Sequence, residues 1–439
     1  MPRFYYLLLL LLSLTACRAQ QGRNVHDTHS REDYVADLHL LADSLWAHHP
    51  QPFAFISEPD FRQLVAEKEA MLTDKTTISA FAWICRSVTA AVGCGHTDVF
   101  FKHKMNLKPS MYFPMIVSYV DEHLYVIDPL ENKDNIKAGT ELLSINGVSV
   151  LTLRDQLRQH IPADGYNVNM TDWFIHNEFY SLCAYQLQFP KQYTVVAKTE
   201  GGTQEIALTA TTKEPKRITY LNNCFNGLCF SVDEAKQLAT ITIRNFVFYD
   251  KELPKFKSFV DNCFEQIKQQ DIQHVVLDLR DNRGGDPYCA VYLLQHLNDA
   301  PFQYYQSGTS MFYKDLQEKL QPLPNKFSGD LYVLTNGGCF STTGHLCALM
   351  QEHNIGLFVG QETGATYTCN ANNQNIYLPH TALFASSATQ TFVANTRATD
   401  KSRGIAPHYP VAYTLQDLLH NRDAAMETVF SLIDNKTTD

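Results

Sequence analysis

Apolar positions follow a helical period through the first part of the chain. Between residues 32 and 92 they recur every three or four positions, which is the spacing of one buried helix face. The first face consists of Tyr34, Leu38, Leu41, Leu45 and Trp46. A second face follows at Phe61, Leu64 and Val65, and residues 78–92 predict a third helix. The pattern predicts a small helical N-terminal domain over residues 20–110, beginning with a polar tether at residues 20–31.

The pattern changes to short strands from residue 111 onward. Two apolar runs are joined by the polar pair Asp121-Glu122, and a third, alternating run meets Asn146-Gly147. Asn-Gly favours tight hairpin turns, because both turn residues adopt positive φ there. A helix is predicted over residues 151–160. Residues 111–210 therefore predict a compact β-rich domain.

The last part of the chain, residues 211–439, begins with a linker-like segment at residues 211–230. Strands and helices alternate after it. Strand-type apolar runs lie at residues 239–243, 274–279, 331–334 and 355–359. An amphipathic helix, residues 256–267, separates the first two runs. Alternation of this kind is typical of a layered α/β domain, so the fold class predicted for the chain is mixed α/β.

The first nineteen residues predict a signal peptide rather than part of the fold. Residues 4–14 are apolar but too few to span a bilayer, and Leu14-Thr15-Ala16-Cys17 follows them. This tetrapeptide resembles the lipobox of bacterial lipoproteins, in which Cys17 would be lipidated. A cut after Ala19 is the competing interpretation. Both predict export, and the first predicts a periplasmic or outer-membrane-attached lipoprotein that reaches the membrane through a lipid anchor at Cys17.

Composition narrows the possible functions. The chain has 439 residues, 45% apolar and 19% charged, which describes an ordinary globular protein of two or three domains. A net charge of −10 without any Lys/Arg block argues against nucleic acid as a partner. Of the 11 cysteines, Cys224 and Cys229 could close a small loop in an exported protein. No zinc spacing is present, so no metal site is predicted.

Ser341 is the first candidate for chemistry. A short strand-type run ends at Asn336-Gly337-Gly338, and a buried helix begins after Ser341. A serine on such a bend, near the free N–H groups of a helix start, can be presented as a nucleophile with an oxyanion site beside it. The alternative for an isolated serine here is an ordinary helix N-cap.

Two further stretches carry the residue types that such a nucleophile requires. Gly95-His96-Thr97 places a histidine in a turn before the strand-like residues 98–101. Arg280-Asp281-Asn282-Arg283-Gly284-Gly285 directly follows a buried strand, and its two glycines let the backbone approach a ligand and aim N–H groups at it. Each stretch alone fits an ordinary turn equally well.

Together, the three stretches resemble the C-terminal processing (tail-specific) serine peptidases, and more closely their tricorn-core-like branch. The segments that carry the resemblance are GHT at 95–97, DLRDNRGG at 278–285 and the serine turn at 340–343. Residues 137–148 also resemble a PDZ-domain segment, and this family carries an inserted PDZ domain. The resemblance implies a PDZ-like domain over residues 111–210, a serine peptidase domain over residues 211–439, and peptide or unfolded-protein substrates.

The resemblance also implies roles for individual residues. Ser341 matches the nucleophile, Gly285 and the N–H of Thr342 match the oxyanion donors, and Gly284 lies in the substrate-binding turn. One branch of the family uses a lysine base, but Thr366 stands at that position here. His96 matches the histidine base of the tricorn-like branch, and an imidazole can take the serine proton near neutral pH.

Three carboxylates are candidates for the residue that orients the imidazole of His96. Asp400 lies near the place of the family's glutamate, with Asp98 and Glu362 as alternatives. Gly95 replaces a serine of the tricorn pattern, and Gly344 replaces the family's glutamate after the nucleophile.

The sequence thus predicts an exported serine endopeptidase that needs no metal or organic cofactor. The competing hypothesis is a peptide- or ligand-binding lipoprotein of the same fold that has lost catalysis, and a glycan-handling lipoprotein is a distant third.

Overall fold

The computed structural model describes residues 24–101, 111–215, 224, 226–324, 326–398, 400 and 402–436. The predicted signal peptide and its lipidation residue, Cys17, lie outside the described residues. Among the described residues, no helix is both long and apolar enough to cross a bilayer.

The mixed α/β class predicted from the sequence is confirmed. The helices are α1 (Arg31–His48), α2 (Glu58–Ala70), α3 (Ile78–Ala91), α4 (Val150–Arg158), α5 (Val168–Gln186), α6 (Leu253–Gln269), α7 (Pro287–Leu297), α8 (Thr342–Glu352), α9 (Leu415–Leu419) and α10 (Ala424–Lys436).

The strands form four sheets within the described part of the chain. They are β1 (Asp98–Phe101), β2 (Ile116–Val120), β3 (His123–Asp128), β4 (Glu141–Ile145), β5 (Val148–Ser149), β6 (Gln192–Thr199), β7 (Gly202–Thr209), β8 (Leu228–Asp233), β9 (Leu238–Ile243), β10 (His274–Asp278), β11 (Asp330–Thr335), β12 (Leu357–Gly360), β13 (Thr368–Ala371), β14 (Gln374–Leu378), β15 (Leu383–Ser387), β16 (Gln390–Val393) and β17 (Tyr409–Pro410).

The predicted N-terminal helices are present, and each begins at a hydroxyl residue. Ser30, Ser57 and Thr77 accept the backbone N–H three residues further on, which satisfies donors that a helix start leaves free. The predicted tether is wrong for residues 24–30. Val25 is buried and its carbonyl accepts the N–H of Ser79, so this segment packs against the start of α3.

A small sheet ties these helices to the far end of the sequence. Its order is β1-β15-β14, and Val99 of β1 pairs with Ala385 of β15. Leu378, Leu383 and Ala385 are buried in one cluster with the apolar faces of α1 and α3. This sheet crosses the domain boundary predicted at residue 110.

The middle of the chain forms the antiparallel sheet β2-β3-β4-β6-β7, covered by α4 and α5. The hairpin turn predicted at Asn146-Gly147 is confirmed, and the pair Asp121-Glu122 that joins two predicted strands forms a second one. Asp121 and Glu122 have φ of 46° and 69°, and Asn146 and Gly147 have φ of 48° and 78°. Positive φ at both turn residues matches the right-handed twist of the flanking strands. The resemblance of this region to PDZ domains stays a prediction.

The largest sheet has the order β17-β12-β11-β10-β9-β8, and all neighbours are parallel except β8 and β9. Val275 and Leu277 of β10 face the cluster formed with α6, α7 and α8. Val276 faces the opposite cluster, which includes Val429 of α10. Burial on both faces explains why these strands are continuous apolar runs in the sequence. Because β10 and β11 are parallel neighbours, the turns that follow them meet at one edge of the sheet.

A buried ion cluster fixes that edge. Asp278, at the end of β10, accepts two hydrogen bonds from the Arg280 side chain (2.9 and 2.8 Å) and two from Arg244 (3.2 and 3.1 Å). Arg280 also donates to Asp423 at 2.7 and 2.9 Å. Burial alone would raise the pKa of Asp278, but the two guanidinium groups outweigh it and lower the pKa to about 2. The carboxylate is therefore charged at neutral pH, and the cluster holds the turn that begins at Arg280.

One pair of cysteines forms the disulfide that the sequence suggested. Cys224 and Cys229 form a disulfide, so the small loop predicted between them is closed. The other cysteines that the structure describes are free and buried.

Candidate active site

Ser341 lies between the end of β11 and the start of α8 in a strained conformation. Its φ is 57° and its ψ is −126°, a region that side-chain-bearing residues rarely adopt. Although Ser341 occupies the N-cap position of α8, its side chain makes no capping hydrogen bond. The hydroxyl instead lies 3.1 Å from Nε2 of His96, from Ser341 Oγ to the ring nitrogen. The N-cap interpretation of this serine therefore does not account for its side chain.

The turn after β10 packs directly on the serine backbone. A Cβ on Gly284 would lie 2.8 Å from Ser341 Cβ and 2.9 Å from the backbone nitrogen of Thr342. Gly284 also has a φ of 89°, so only glycine fits both the conformation and the space. Asn282 supports the turn from below: its amide donates to the carbonyl of Ile243 (3.0 Å), and its side-chain oxygen accepts the N–H of Gly284 (2.9 Å).

Two backbone N–H groups next to Ser341 are available to a ligand. In the part of the chain that the structure describes, the N–H groups of Gly285 and Thr342 have no protein acceptor. Their segments are joined by a hydrogen bond of 2.6 Å from the Thr342 hydroxyl to the carbonyl of Gly285. The residues predicted as oxyanion donors thus lie side by side at the start of a helix, where N–H groups favour negative charge.

His96 is held in its turn by hydrogen bonds from three directions. The N–H of Thr97 donates to the carbonyl of Cys94 (3.1 Å), and the N–H of Gly95 donates to the carboxylate of Asp164 (2.8 Å). The side-chain amide of Asn373 donates to the His96 carbonyl at 2.8 Å. The imidazole lies on the ring of Phe340, with 4.5 Å between centroids, directly before Ser341.

Close packing explains both glycines that depart from the family pattern. A Cβ on Gly95 would lie 2.7 Å from the ring of Phe340, so a serine at this position would displace that ring. A Cβ on Gly344 would lie 2.2 Å from the Cβ of Ala365, so no glutamate fits there. Contacts below 3.0 Å require the neighbour to move. The two substitutions are therefore matched to their surroundings.

The surroundings of His96 keep its imidazole neutral. Burial and, as a smaller cause, the positive charge of Arg283 together lower the pKa of His96 to about 4. The Arg283 guanidinium lies over the rings of Phe174 (4.6 Å) and Trp173 (5.5 Å) of α5. At pH 7 the imidazole is therefore unprotonated, which is the state that a general base requires.

None of the carboxylates considered for orienting His96 contacts its ring in the described part of the chain. Asp400 is exposed and accepts hydrogen bonds from the N–H (2.9 Å) and the hydroxyl (2.7 Å) of Ser402. Asp98 accepts from Arg86, and Glu362 accepts the N–H of Gly404. The prediction that Asp400 orients His96 therefore has no supporting contact, because local hydrogen bonds hold its carboxylate elsewhere.

The side chain that does lie beside Nδ1 of His96 is Cys369, with its sulfur at 3.6 Å. Cys369 lies on β13, and sequence reasoning missed it. A single cysteine in a short strand carries no spacing signal, and only the fold brings residues 96 and 369 together.

Thr366 stands where one branch of the family has its lysine. Its hydroxyl donates to the carbonyl of Thr368 at 2.7 Å, and its backbone pairs with Gly404. The side chain is buried. The position therefore supports local backbone structure and supplies no base.

A cleft of about 440 Å³ lies next to the site, between the middle sheet and the carboxyl edge of the largest sheet. Trp173, Asp281 and Asn336 line it, whereas Ser341 and His96 do not. Asp281 accepts hydrogen bonds from the side chains of Trp173 (2.6 Å) and Asn336 (2.8 Å), so these three lining residues are tied together. Within the described residues, no group of three or more His, Cys, Asp or Glu side chains could hold a metal ion.

Comparison with known families identifies the class of protein. Residues 237–411 match the model of peptidase family S41, and this range contains the 278–285 turn and Ser341. The match covers the domain that holds both segments, and it supports a peptidase of the serine class. A peptidase domain implies peptide or protein substrates. No curated protein matches the sequence.

Solved structures resemble the chain over most of its length. Mature CPAF matches with a TM-score of 0.62 at 14% identity, covering 92% of this chain and 98% of that chain. Mature CPAF complexed with lactacystin has the same TM-score at 15% identity, covering 92% and 99%. A protein of Parabacteroides merdae ATCC 43184 has a TM-score of 0.50 at 14% identity, covering 92% and 97%. At these identities the likeness concerns the fold.

The contact between Gly344 and Ala365 gives a direct test of the packing argument. Gly344→Ala should lower the free energy of unfolding by about 2 kcal/mol, because the added methyl group overlaps Ala365. Combining it with Ala365→Gly should recover a large part of this loss, as measured by a double-mutant cycle of thermal unfolding. Gly201→Ala is the control, since its added Cβ would meet nothing closer than 4.0 Å. Additive effects of the two substitutions would contradict the argument.

Proposed function

We propose that the protein is an exported serine endopeptidase in which Ser341 attacks a peptide carbonyl and His96 acts as the general base. The observation that carries the proposal is the distance of 3.1 Å between Ser341 Oγ and His96 Nε2. A candidate base must reach the proton that it abstracts, and this distance is within hydrogen-bond range.

The proposed reaction begins with proton transfer from the Ser341 hydroxyl to Nε2 of His96 while Oγ attacks the carbonyl carbon. The carbonyl oxygen becomes an oxyanion, which the N–H groups of Gly285 and Thr342 stabilise. Donors of this kind contribute about 3 kcal/mol each to the transition state. The proton then passes from His96 to the leaving amine, and an acyl-enzyme on Ser341 remains. Water, deprotonated by the same imidazole, hydrolyses the ester.

Gly284 supports substrate binding in this proposal because it has no side chain. The turn that ends in Gly285 therefore packs within van der Waals distance of Ser341, and a substrate carbonyl at the hydroxyl can also approach the N–H of Gly285. The strained backbone of Ser341 keeps its hydroxyl at the same point, since a relaxed N-cap conformation would direct it toward the helix.

Ser341→Ala should abolish labelling by a fluorophosphonate probe and cleavage of unfolded casein. The reason is that both reactions require the hydroxyl as nucleophile. Ser431→Ala is the control, because Ser431 is an exposed serine of α10 whose hydroxyl donates to Glu427. If the unaltered protein is neither labelled nor active on casein, the competing hypothesis of a ligand-binding protein without catalysis is favoured. Lactacystin, which mature CPAF binds, is a suitable second probe.

The rate of fluorophosphonate labelling should be constant from about pH 8 to pH 5 and fall by half near pH 4. The base is active only when neutral, and the pKa of His96 lies at about 4, below its ordinary value of 6.5. Protonation therefore removes activity only when the pH falls through that lowered value. The measurement is a pH profile of the second-order labelling constant. A midpoint at pH 6 to 7 would show that His96 is not in the environment described above.

We also propose that the protein is exported and anchored through a lipid on Cys17. The disulfide between Cys224 and Cys229 supports export, because such bonds persist in oxidising compartments. Cells grown with labelled palmitate should incorporate it into the unaltered protein but not into Cys17→Ser. The matched control is Cys263→Ser, which changes a cysteine buried within α6. Equal incorporation in all three proteins, or none in the unaltered protein, would contradict the anchor.

A further inference from the structure

A histidine base in a serine hydrolase normally has a partner on the nitrogen that does not face the serine. This partner fixes the tautomer, so that Nδ1 carries the hydrogen and Nε2 is free to accept the serine proton. In the described part of the chain no carboxylate reaches the ring of His96, and its Nδ1 lies beside the sulfur of Cys369 at 3.6 Å.

The position of Cys369 is fixed by the fold. It lies on β13, where it pairs with Phe392 of β16, and its side chain is 2% exposed. Its sulfur is 4.0 Å from Nε2 of His96 and 3.8 Å from Oγ of Ser341. Cys369 therefore contacts both members of the proposed catalytic pair, and a strand rather than a loop sets its distance from them.

The thiol beside Nδ1 of His96 is protonated. Burial raises the pKa of Cys369, and the nearby Asp164 raises it further, so the sulfur is neutral at physiological pH. A neutral thiol has one weak donor and a weakly accepting sulfur. The carbonyl of Asn370, 3.9 Å away, lies where it can receive the thiol hydrogen. The sulfur lone pairs are then left for the Nδ1–H of His96.

We propose that Cys369 is the positioning residue of the base, a role that rests on the proposed function. Its sulfur accepts the Nδ1–H of His96, which leaves the lone pair of Nε2 facing the Ser341 hydroxyl. Cys369 thus occupies the place in which a carboxylate was expected, and the base works without an anionic partner.

Asp164 is hydrogen-bonded to the backbone of the turn that holds His96. Its Oδ1 accepts the N–H of Gly95 at 2.8 Å, whereas its buried Oδ2 has no partner among the described residues. Burial raises the pKa of Asp164 to about 7. Among the described residues, the charged and titratable groups around the imidazole are Cys369, Arg283 and His345, with Asp164 behind the turn, and the hydroxyl of Ser341 faces Nε2. None of the groups that touch the ring supplies a negative charge to stabilise the imidazolium.

The first test compares Cys369→Ala with Cys369→Ser in hydrolysis of unfolded casein. Alanine removes the acceptor, so kcat should fall about 10-fold while KM stays unchanged, because orientation of the base is lost but substrate contacts are kept. Serine restores an acceptor and should remain within about threefold of the unaltered protein. Cys263→Ala is the control for removing a buried thiol elsewhere, and it should leave kcat unchanged.

The second test uses the pH profile of fluorophosphonate labelling. Cys369→Asp places a carboxylate next to Nδ1, which stabilises the imidazolium, so the acid midpoint should move up by at least one pH unit. Cys369→Asn has nearly the same shape without the charge and should leave the midpoint in place. A role limited to packing would not shift the midpoint in either variant. Circular dichroism establishes that each variant is folded, and the alanine and serine pair decides the question if the aspartate variant is not.

The outcomes separate this inference from the function on which it rests. If the unaltered protein is not labelled, the proposed function fails. If it is labelled, and Cys369→Ala matches it in kcat and in pH profile, the positioning role of Cys369 is overturned while the function stands. A loss in Cys369→Ala that serine does not restore would also overturn the role, because it would indicate a requirement for sulfur volume alone.

Discussion

Three distant segments meet at Ser341 because glycines allow their backbones to approach within van der Waals distance. Gly95 leaves room for the ring of Phe340, and Gly284 leaves room for the backbone on both sides of Ser341. A single methyl group at either position would lie less than 3 Å from its neighbour. The distance of 3.1 Å between the imidazole and the hydroxyl depends on both contacts, since His96 and Ser341 come from elements far apart in the chain.

The two buried titratable groups of this site are held in opposite charge states. At the end of β10, Asp278 is buried but paired with two arginines, so its pKa falls and the carboxylate stays charged. His96 is buried without an anion, so its pKa falls and the imidazole stays neutral. The first arrangement makes a rigid turn under the proposed oxyanion donors. The second leaves a base that can accept a proton at neutral pH, although its protonated form is weakly stabilised.

The departures from the family pattern have packing causes. Gly95 and Gly344 replace larger residues of the family, and each lies against a side chain that would occupy the same space. Thr366 uses its hydroxyl for the backbone of its own turn. Substitutions that are matched by their neighbours differ from the scattered losses expected in a decaying site, and the strained conformation of Ser341 is kept.

The sequence by itself determined the elements and the identity of the main site residues. The helical period of residues 32–92, the Asn-Gly hairpin and the apolar parallel strands follow from local pattern, because burial on one or both faces leaves a period in the chain. The stretch 278–285 is readable for the same reason: each of its residues is required by contacts within one turn. Only the tertiary structure decided what lies beside His96. Asp400 was predicted from its distance along the chain, but hydrogen bonds to Ser402 hold it elsewhere, and Cys369 lies next to the imidazole instead. A contact between residues 273 positions apart depends on how strands and turns pack, and neither residue type nor spacing encodes it.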